Sequence, residues 1–387
     1  MINSMKQRRI GILTGGGDVQ PLNAVIKSAI ESAKKNNFEL IGFVHGWQGV
    51  LENDFLVLNN RIVNRSIGGT FLKSSRVNLA KLENGAEQVK ENLNKHCIDG
   101  LIIIGGEDTL SNAFYLQDIP LVLISKTIDN DVGIIDGKTI INYFTLGHPT
   151  AAEKISSFVS LNEGLRTTAY SHERIIVVES MGMHAGWLAL SSSMGHPDFI
   201  IIPEFPLNYS AFLEKVVEKY KKQKNLIIVI AEGARWSDGS YISADQNEKD
   251  SFEHPRFKGV ANLLAEKMKN DLKKYFDTRN VNYVNPSYLY RSGKPNNLDL
   301  SASAKLGSAA VNHFKNQKNE IVFLTTNFNK EKIIIEEYPL AEVESIDTLH
   351  RFVTDQFYDH DLFNANKEGK KFLSKILPEF PKLKYDL

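Results

Sequence analysis

Apolar residues along this chain gather in short, nearly unbroken runs, each closed by glycines or charged residues before a helical pattern begins. The first run is Ile10 to Leu13. Gly15, Gly16, Gly17 and Asp18 follow it, and then Leu22, Val25, Ile26, Ala29, Ile30 and Ala33 recur at helical spacing. Pro21 suits the start of that helix, where its missing N–H costs nothing. The stretch "CIDGLIIIGGEDTLSNAFYL" repeats the plan with an apolar strand, a Gly-Gly turn and a helix. "IPLVLISKTIDND" is a third strand that ends in polar residues. "ERIIVVESMGMHAGWLALSSS", "PDFIIIPEFP" and "NLIIVIAEGA" read as the strands of another α/β half. Strands apolar throughout, alternating with helices, predict an α/β protein with mostly parallel sheets covered on both faces. The pattern breaks near residues 145–165 and 290–300, which predicts one domain over 1–150 and another over 151–299. Residues 300–387 form a C-terminal helical segment, part of which is expected to rejoin the first domain. Lysine-rich stretches such as "KVVEKYKKQKN" read as solvated helix faces.

Composition narrows the picture. At 387 residues, 42% hydrophobic and 24% charged, the chain has room for two sizeable cores. Its formal net charge of +0 supplies no basic field for nucleic acid or a membrane surface. Cys97 is the one cysteine, so no intrachain disulfide forms and a reducing, cytoplasmic setting is expected. The start "MINSMKQRRI" is basic but lacks the apolar stretch of a signal peptide. No run reaches the roughly 18 apolar residues a spanning helix needs.

The chemistry is expected at the carboxyl ends of the strands, where ligands sit in open α/β sheets. Those ends carry Gly15, Gly16, Gly17 and Asp18, then Gly105, Gly106, Glu107, Asp108 and Thr109, then Lys126, Thr127, Asp129 and Asp131. Glycine lets a phosphate approach main-chain N–H groups, and a helix start adds a favourable dipole. Two adjacent carboxylates there would repel phosphate unless a hard cation sits between them. Glycines, carboxylates and a lysine together point to a Mg²⁺–phosphate site and to phosphoryl transfer. Two other readings of the glycines fail. The dinucleotide fingerprint needs a third glycine where Gln20 stands, and "GIIDGKT" is one residue short of a P-loop and leads into the strand-like "TIINYF". His148, His172 and His184 show no metal-ligand spacing and receive no role.

Over roughly its first 310 residues the chain resembles the phosphofructokinases. "GILTGGGDVQPLN", "FVHGWQGVL", "GGTFLKSSR", "IIIGGEDTL", "SKTIDND", "SHERIIVVESMG", "IPE", "AEGA" and "PSYLYRSG" follow one another in that family's order. The resemblance implies two similar Rossmann-like domains with the active site in the cleft between them, and a homodimer or homotetramer. It implies fructose 6-phosphate as acceptor, Mg²⁺ as cofactor, and no nucleic acid or membrane as partner. On this basis residues 1–150 would hold the donor and Mg²⁺, and residues 151–299 the sugar phosphate. Asp129 matches the base that takes the proton of the sugar's 1-hydroxyl, a poor nucleophile otherwise. Thr127 and Asp131 would hold the sugar and the catalytic geometry. Glu107 matches the Mg²⁺ carboxylate, Gly17 the glycine facing the donor phosphate, and Arg76 a donor-phosphate arginine suited to bidentate contact. Arg174 would reach the sugar phosphate from a neighbouring subunit. Met181, Gly182, Glu232, Tyr288 and Arg291 match the remaining sugar-phosphate positions.

The chain departs from the family in several places. Gln20-Pro21 replaces Pro-Gly, Lys73 stands where glycine is common, Met183 replaces the arginine of "MGR", and Asn282 replaces a residue that is often basic. Losing one charge-assisted contact costs about 1.5–3 kcal/mol, so weaker sugar-phosphate binding is expected. The donor is expected to be pyrophosphate, because ATP-using relatives commonly have glycine where Asp108 and Lys126 stand. A like charge about 4 Å from a nucleotide phosphate costs roughly 4 kcal/mol at an effective dielectric of 20. An ammonium at Lys126 would neutralise the pyrophosphate leaving group. A plain helix-capping role is the alternative for Asp108. The rival functions are an ATP-dependent phosphofructokinase, a non-catalytic sugar-phosphate-binding family member, and a nucleotide-binding oxidoreductase.

Overall fold

The apolar runs become strands and the helically spaced residues become helices. A computed structural model describes residues 7–136, 139–161, 163–249, 255–257, 259–316, 320–340 and 349–382. The run Ile10 to Leu13 lies within β1 (Arg9–Thr14), and α1 (Leu22–Lys35) follows. Leu22, Val25, Ile26, Ala29, Ile30 and Ala33 are all buried on that helix. Pro21 stands immediately before it, at the N-cap.

The chain continues through β2 (Glu39–Phe43), α2 (Trp47–Glu52), β3 (Phe55–Val57), α3 (Gly85–Lys95), β4 (Gly100–Gly105), α4 (Glu107–Ser111) and β5 (Leu121–Thr127). Next come β6 (Ile134–Asp136), β7 (Thr139–Ile141), β8 (Leu146–Gly147) and α5 (His148–Val159). Gly137 and Lys138 of "GIIDGKT", like Met1 to Lys6, lie outside the described residues. The strand-like "TIINYF" does enter a strand, β7, which pairs antiparallel with β6. The middle of the chain holds α6 (Arg166–Ser171), β9 (Ile175–Ser180), α7 (Trp187–Ser191), β10 (Phe199–Ile201), α8 (Tyr209–Gln223) and β11 (Leu226–Ala231). It goes on through β12 (Ala244–Lys249), β13 (Pro255–Phe257), α9 (Val260–Leu272) and β14 (Val281–Val284). The last elements are α10 (Asn297–Lys315), β15 (Ile321–Asn329), β16 (Lys332–Pro339), β17 (Tyr358–Asp359), β18 (Asn364–Ala365) and α11 (Lys367–Leu373).

These elements form two units. The first comprises Met1–Ile128, Val132–Thr150 and Arg291–Arg351; the second comprises Asp129–Asp131, Ala151–Tyr290 and Phe352–Leu387. In the first unit the strand order is β16-β15-β5-β4-β1-β2-β3, with β8 paired to β5. The inner pairs are parallel, and the two outermost pairs, β15–β16 and β2–β3, are antiparallel. The second unit has the order β10-β11-β9-β14, parallel throughout. Central strands covered on both faces need apolar side chains on both. Accordingly β4, β9 and β11 are buried along their whole length.

Register fixes where the strand ends emerge. Thr14 pairs with Ile104 and Gly105 with Ser125, so the turns after β1 and β4 leave the sheet within a residue of one level, and β5 runs on to Thr127. Below them, the fully buried Asp299 of α10 accepts from the N–H groups of Gly147 and Thr150, at 2.9 and 3.0 Å. That carboxylate fastens α10 to the start of α5.

Candidate active site

The turn after β1 is bare of side chains for three separate reasons. A Cβ on Gly15 would lie 2.6 Å from the Thr109 side chain, and one on Gly105 would lie 2.3 Å from Thr109 Cβ. Thr109 therefore wedges between the two strand ends and excludes any larger residue at either. Gly16 has φ +76, a conformation that costs glycine little. A Cβ on Gly17 would meet the Arg291 guanidinium at 3.1 Å. Thr109 is itself held, because the buried Trp47 indole donates to its carbonyl at 3.0 Å. The segment "GGTFLKSSR" closes the loop from the other side. The Ser74 hydroxyl donates to the Gly16 carbonyl at 2.5 Å, and the Gly16 N–H donates to the Ser75 carbonyl at 3.1 Å. Lys73, where glycine is common in the family, has φ +59, so the backbone there keeps a glycine-like conformation under a lysine side chain.

Beside this loop, α4 starts with Gly106 at its N-cap and carries Glu107 and Asp108 in its first turn. Asp108 is therefore not the capping residue, which removes the plain helix-capping alternative at the N-cap position itself. Both carboxylates still favour the helix start electrostatically. Glu107 lies 2.7 Å from the His350 imidazole, through Oε2 and Nε2.

Lys126, at the end of β5, is only 2% exposed, and its ammonium donates to the Gly17 carbonyl. Burial lowers its pKa to about 7; Arg291 and Arg76 press the same way, and Asp18 and Asp108 oppose them. Gly17, Arg76, Asp108, Lys126 and Arg291 thus form one electrostatic cluster within the first unit. Arg291, matched by sequence to the sugar phosphate, also donates to the Asp18 carbonyl at 3.4 Å and so touches the glycine loop.

The turn that follows β5 is set by its base. The Thr145 hydroxyl donates to the Thr127 carbonyl at 2.6 Å, and His148 Nδ1 lies 2.8 Å from the Ile128 carbonyl, which it bonds as donor. Burial pushes the His148 pKa down to about 4, so the imidazole is neutral and serves as a strut. Beyond this base come the half-buried Asp129 and Asp131, flanking Asn130 in a left-handed conformation at φ +56. The three residues are grouped with the second unit.

Within the second unit, the loops after β9 and β11 brace each other. The Gly182 N–H donates to the Glu232 carboxylate at 3.2 Å, and the Gly233 N–H donates to the Gly182 carbonyl at 3.2 Å. Gly182 has φ +127, and a Cβ on Gly233 would fall 1.9 Å from the Met183 carbonyl oxygen. Met181, Gly182, Met183 and Glu232 are brought together by this brace. The Arg174 guanidinium is held apart from them, donating to the Thr168 carbonyl of α6 at 2.8 Å. Tyr288 is 74% exposed and Asn282 is exposed on β14.

A Mg²⁺ ion bound for phosphoryl transfer needs one or two carboxylates, with phosphate and water oxygens completing its shell. Glu107, at a helix start beside the glycine loop, supplies oxygen of the right kind, so the residues fit the ion. Sequence reasoning missed His350 and Trp47 as parts of this site, and it placed Thr109 at the strand end without its packing role. Trp47 and Thr109 lie inside quoted motifs, but only the packing distances give them work. His350 lies in "LHRFV", which carries no signal at all.

Comparison with known proteins decides the family. A model of the phosphofructokinase family matches residues 9–314. The chain belongs to the phosphofructokinase family. It is 39% identical over 313 residues to pyrophosphate–fructose 6-phosphate 1-phosphotransferase of Dictyoglomus thermophilum, covering 79% of this chain and 86% of that one. It is 37% identical over 310 residues to ATP-dependent 6-phosphofructokinase 3 of Streptomyces coelicolor, covering 78% and 86%. The pyrophosphate-dependent phosphofructokinase structure from Nitrosospira multiformis superposes with a TM-score of 0.79 at 20% identity, over 98% of this chain and 95% of that one. That likeness bears on fold, and it agrees with the two-domain α/β architecture. Membership makes the chain a phosphotransferase-family protein and leaves the dinucleotide oxidoreductase reading without support. Among the described residues no helix is long and apolar enough to cross a membrane.

The state of Lys126 can be read in solution. The unfolded chain keeps its proton up to the ordinary value of 10.5, whereas the folded protein releases it at about 7. Between those values the unfolded state binds more protons, so this group makes stability rise with pH. We expect Lys126→Met to flatten that rise, measured as melting temperatures of the ligand-free protein at pH 6, 7.5 and 9. An unchanged slope would show that the buried amine does not titrate there.

Proposed function

We propose that this protein transfers a phosphoryl group from pyrophosphate to the 1-hydroxyl of fructose 6-phosphate, giving fructose 1,6-bisphosphate and phosphate, reversibly. The observation that carries the donor choice is the buried Lys126 ammonium against the Gly17 carbonyl, with Asp108 in its field. A small, highly charged donor with no adenosine to anchor it needs fixed positive charge in a dry site. Arg76 and Arg291 supply that charge around the glycine loop, and an arriving polyanion would hold Lys126 in its protonated form. The Asp108 carboxylate stands where a nucleotide's further phosphate would need room.

In this mechanism Asp129 accepts the proton of the 1-hydroxyl as its oxygen approaches phosphorus. The new O–P bond forms, the bridging P–O bond of pyrophosphate breaks, and phosphate leaves toward Lys126. Mg²⁺, held by Glu107 and the donor's own oxygens, would neutralise phosphate charge. Thr127 and Asp131 hold the acceptor sugar. Gly182, Met181, Met183, Glu232 and Tyr288 form its further surroundings, and Arg174 meets the sugar phosphate of a neighbouring subunit. The second reading, an ATP-dependent enzyme, is favoured by the similarly identical Streptomyces relative.

The deciding experiment offers the purified protein Mg²⁺ and fructose 6-phosphate with either pyrophosphate or ATP, and assays fructose 1,6-bisphosphate. We expect turnover with pyrophosphate; turnover with ATP alone would refute the donor assignment, and none with either would favour a non-catalytic role. Asp129→Asn should lower kcat by about 10²–10⁴-fold with the fold and sugar-phosphate binding retained. A variant keeping more than about a tenth of the rate would remove Asp129 as the base. Asp108→Gly should admit ATP, and Lys126→Gly should cripple pyrophosphate use, both read as kcat/KM for each donor. A role for Arg174 across an interface requires a homodimer or homotetramer. Sedimentation at assay concentration should find one, and a fully active monomer would exclude the role.

A further inference from the structure

Glu107 has a neighbour from outside the family's matched region. His350 lies beyond residue 314, where the family match ends, yet its Nε2 sits 2.7 Å from Glu107 Oε2. Its backbone is fixed on both sides. His350 forms an antiparallel bridge with Val132, directly after the "TIDND" turn, and the Gly133 N–H donates to the Leu349 carbonyl at 2.6 Å. Next to it the buried Arg351 guanidinium donates to the Asn142 carbonyl at 2.5 Å. The imidazole is therefore delivered by an anchored segment. Both side chains are partly covered, at 24% exposed for His350 and 34% for Glu107.

A glutamate in a five-residue helix has several rotamers open to it, and only some point toward the glycine loop. An imidazole packed this closely against the carboxylate selects among them. Partners of this kind, one step removed from a metal, set the orientation of the ligating group. We propose that His350 is a positioning residue for Glu107, holding its side chain in the orientation in which the carboxylate meets the divalent cation brought by the donor phosphates. The proposal rests on the reading of Glu107 as the cation's carboxylate. It adds to the family site a residue from the C-terminal segment, which reaches the cation through Glu107 alone.

The test uses the full chain and Mn²⁺ as the probe. Free Mn²⁺ is followed by electron paramagnetic resonance during titration with imidodiphosphate present, and separately with a non-hydrolysable ATP analogue. We expect His350→Ala to weaken Mn²⁺ binding about 10–100-fold, with fructose 6-phosphate affinity unchanged. His350→Gln, whose amide can reach the same oxygen, should recover most of that loss. His350→Asn, polar but too short, should behave like alanine and serves if the alanine variant does not fold. The proposal is overturned if the alanine and asparagine variants bind Mn²⁺ as tightly as wild type or more tightly, or if glutamine recovers nothing. Wild-type binding that needs the nucleotide analogue would refute the pyrophosphate reading and leave the His350 comparison intact. Wild type that binds Mn²⁺ with neither would remove Glu107 as the ligand, and His350 with it.

Discussion

Thr109 fills the space that side chains at Gly15 and Gly105 would otherwise occupy, and the candidate donor site depends on that wedge. Parallel register brings the ends of β1 and β4 level, but level strand ends alone leave a gap between two turns. The threonine closes the gap from the α4 side and ties the helix that carries Glu107 and Asp108 to the loop that carries Gly17. A larger side chain at either glycine would push α4 away and separate the carboxylates from the bare backbone. The glycines are thus a packing requirement first, and their availability to phosphate follows from it.

Lys126 shows the opposite economy. Burying an ammonium is unfavourable, and the protein offsets it with one main-chain carbonyl and two nearby carboxylates rather than a close ion pair. The result is a cation held ready with incomplete compensation. Such a group gains more from an arriving polyanion than a salt-bridged lysine would, because no close ion pair must be broken first.

Much of this was legible in the sequence. The helical spacing from Leu22 to Ala33 and the unbroken strands β4 and β11 announced their own burial, because a parallel sheet leaves no polar face to disguise the pattern. The ordered motifs carried the family, and with it the placement of the glycine loop and the "TIDND" turn. Two kinds of information were absent. Contacts made by single residues of ordinary type, such as Thr109 and His350, depend on distances that no local pattern encodes. Backbone conformation was hidden as well. Lys73 reads as a departure from glycine, yet the main chain at φ +59 has not departed. The neutral strut His148 could be recognised only once its full burial was known.

Trp47 ties these observations to something visible in solution. It is one of only 3 tryptophans in the chain, it is 2% exposed, and its indole N–H is bonded to the carbonyl of Thr109. An indole's emission follows the electric field along its ring. Here the bonded carbonyl belongs to α4, the helix that carries Glu107 and Asp108 in its first turn. The fold has therefore bonded a chromophore to the helix that holds the two carboxylates, so the protein carries its own optical gauge of that helix's position.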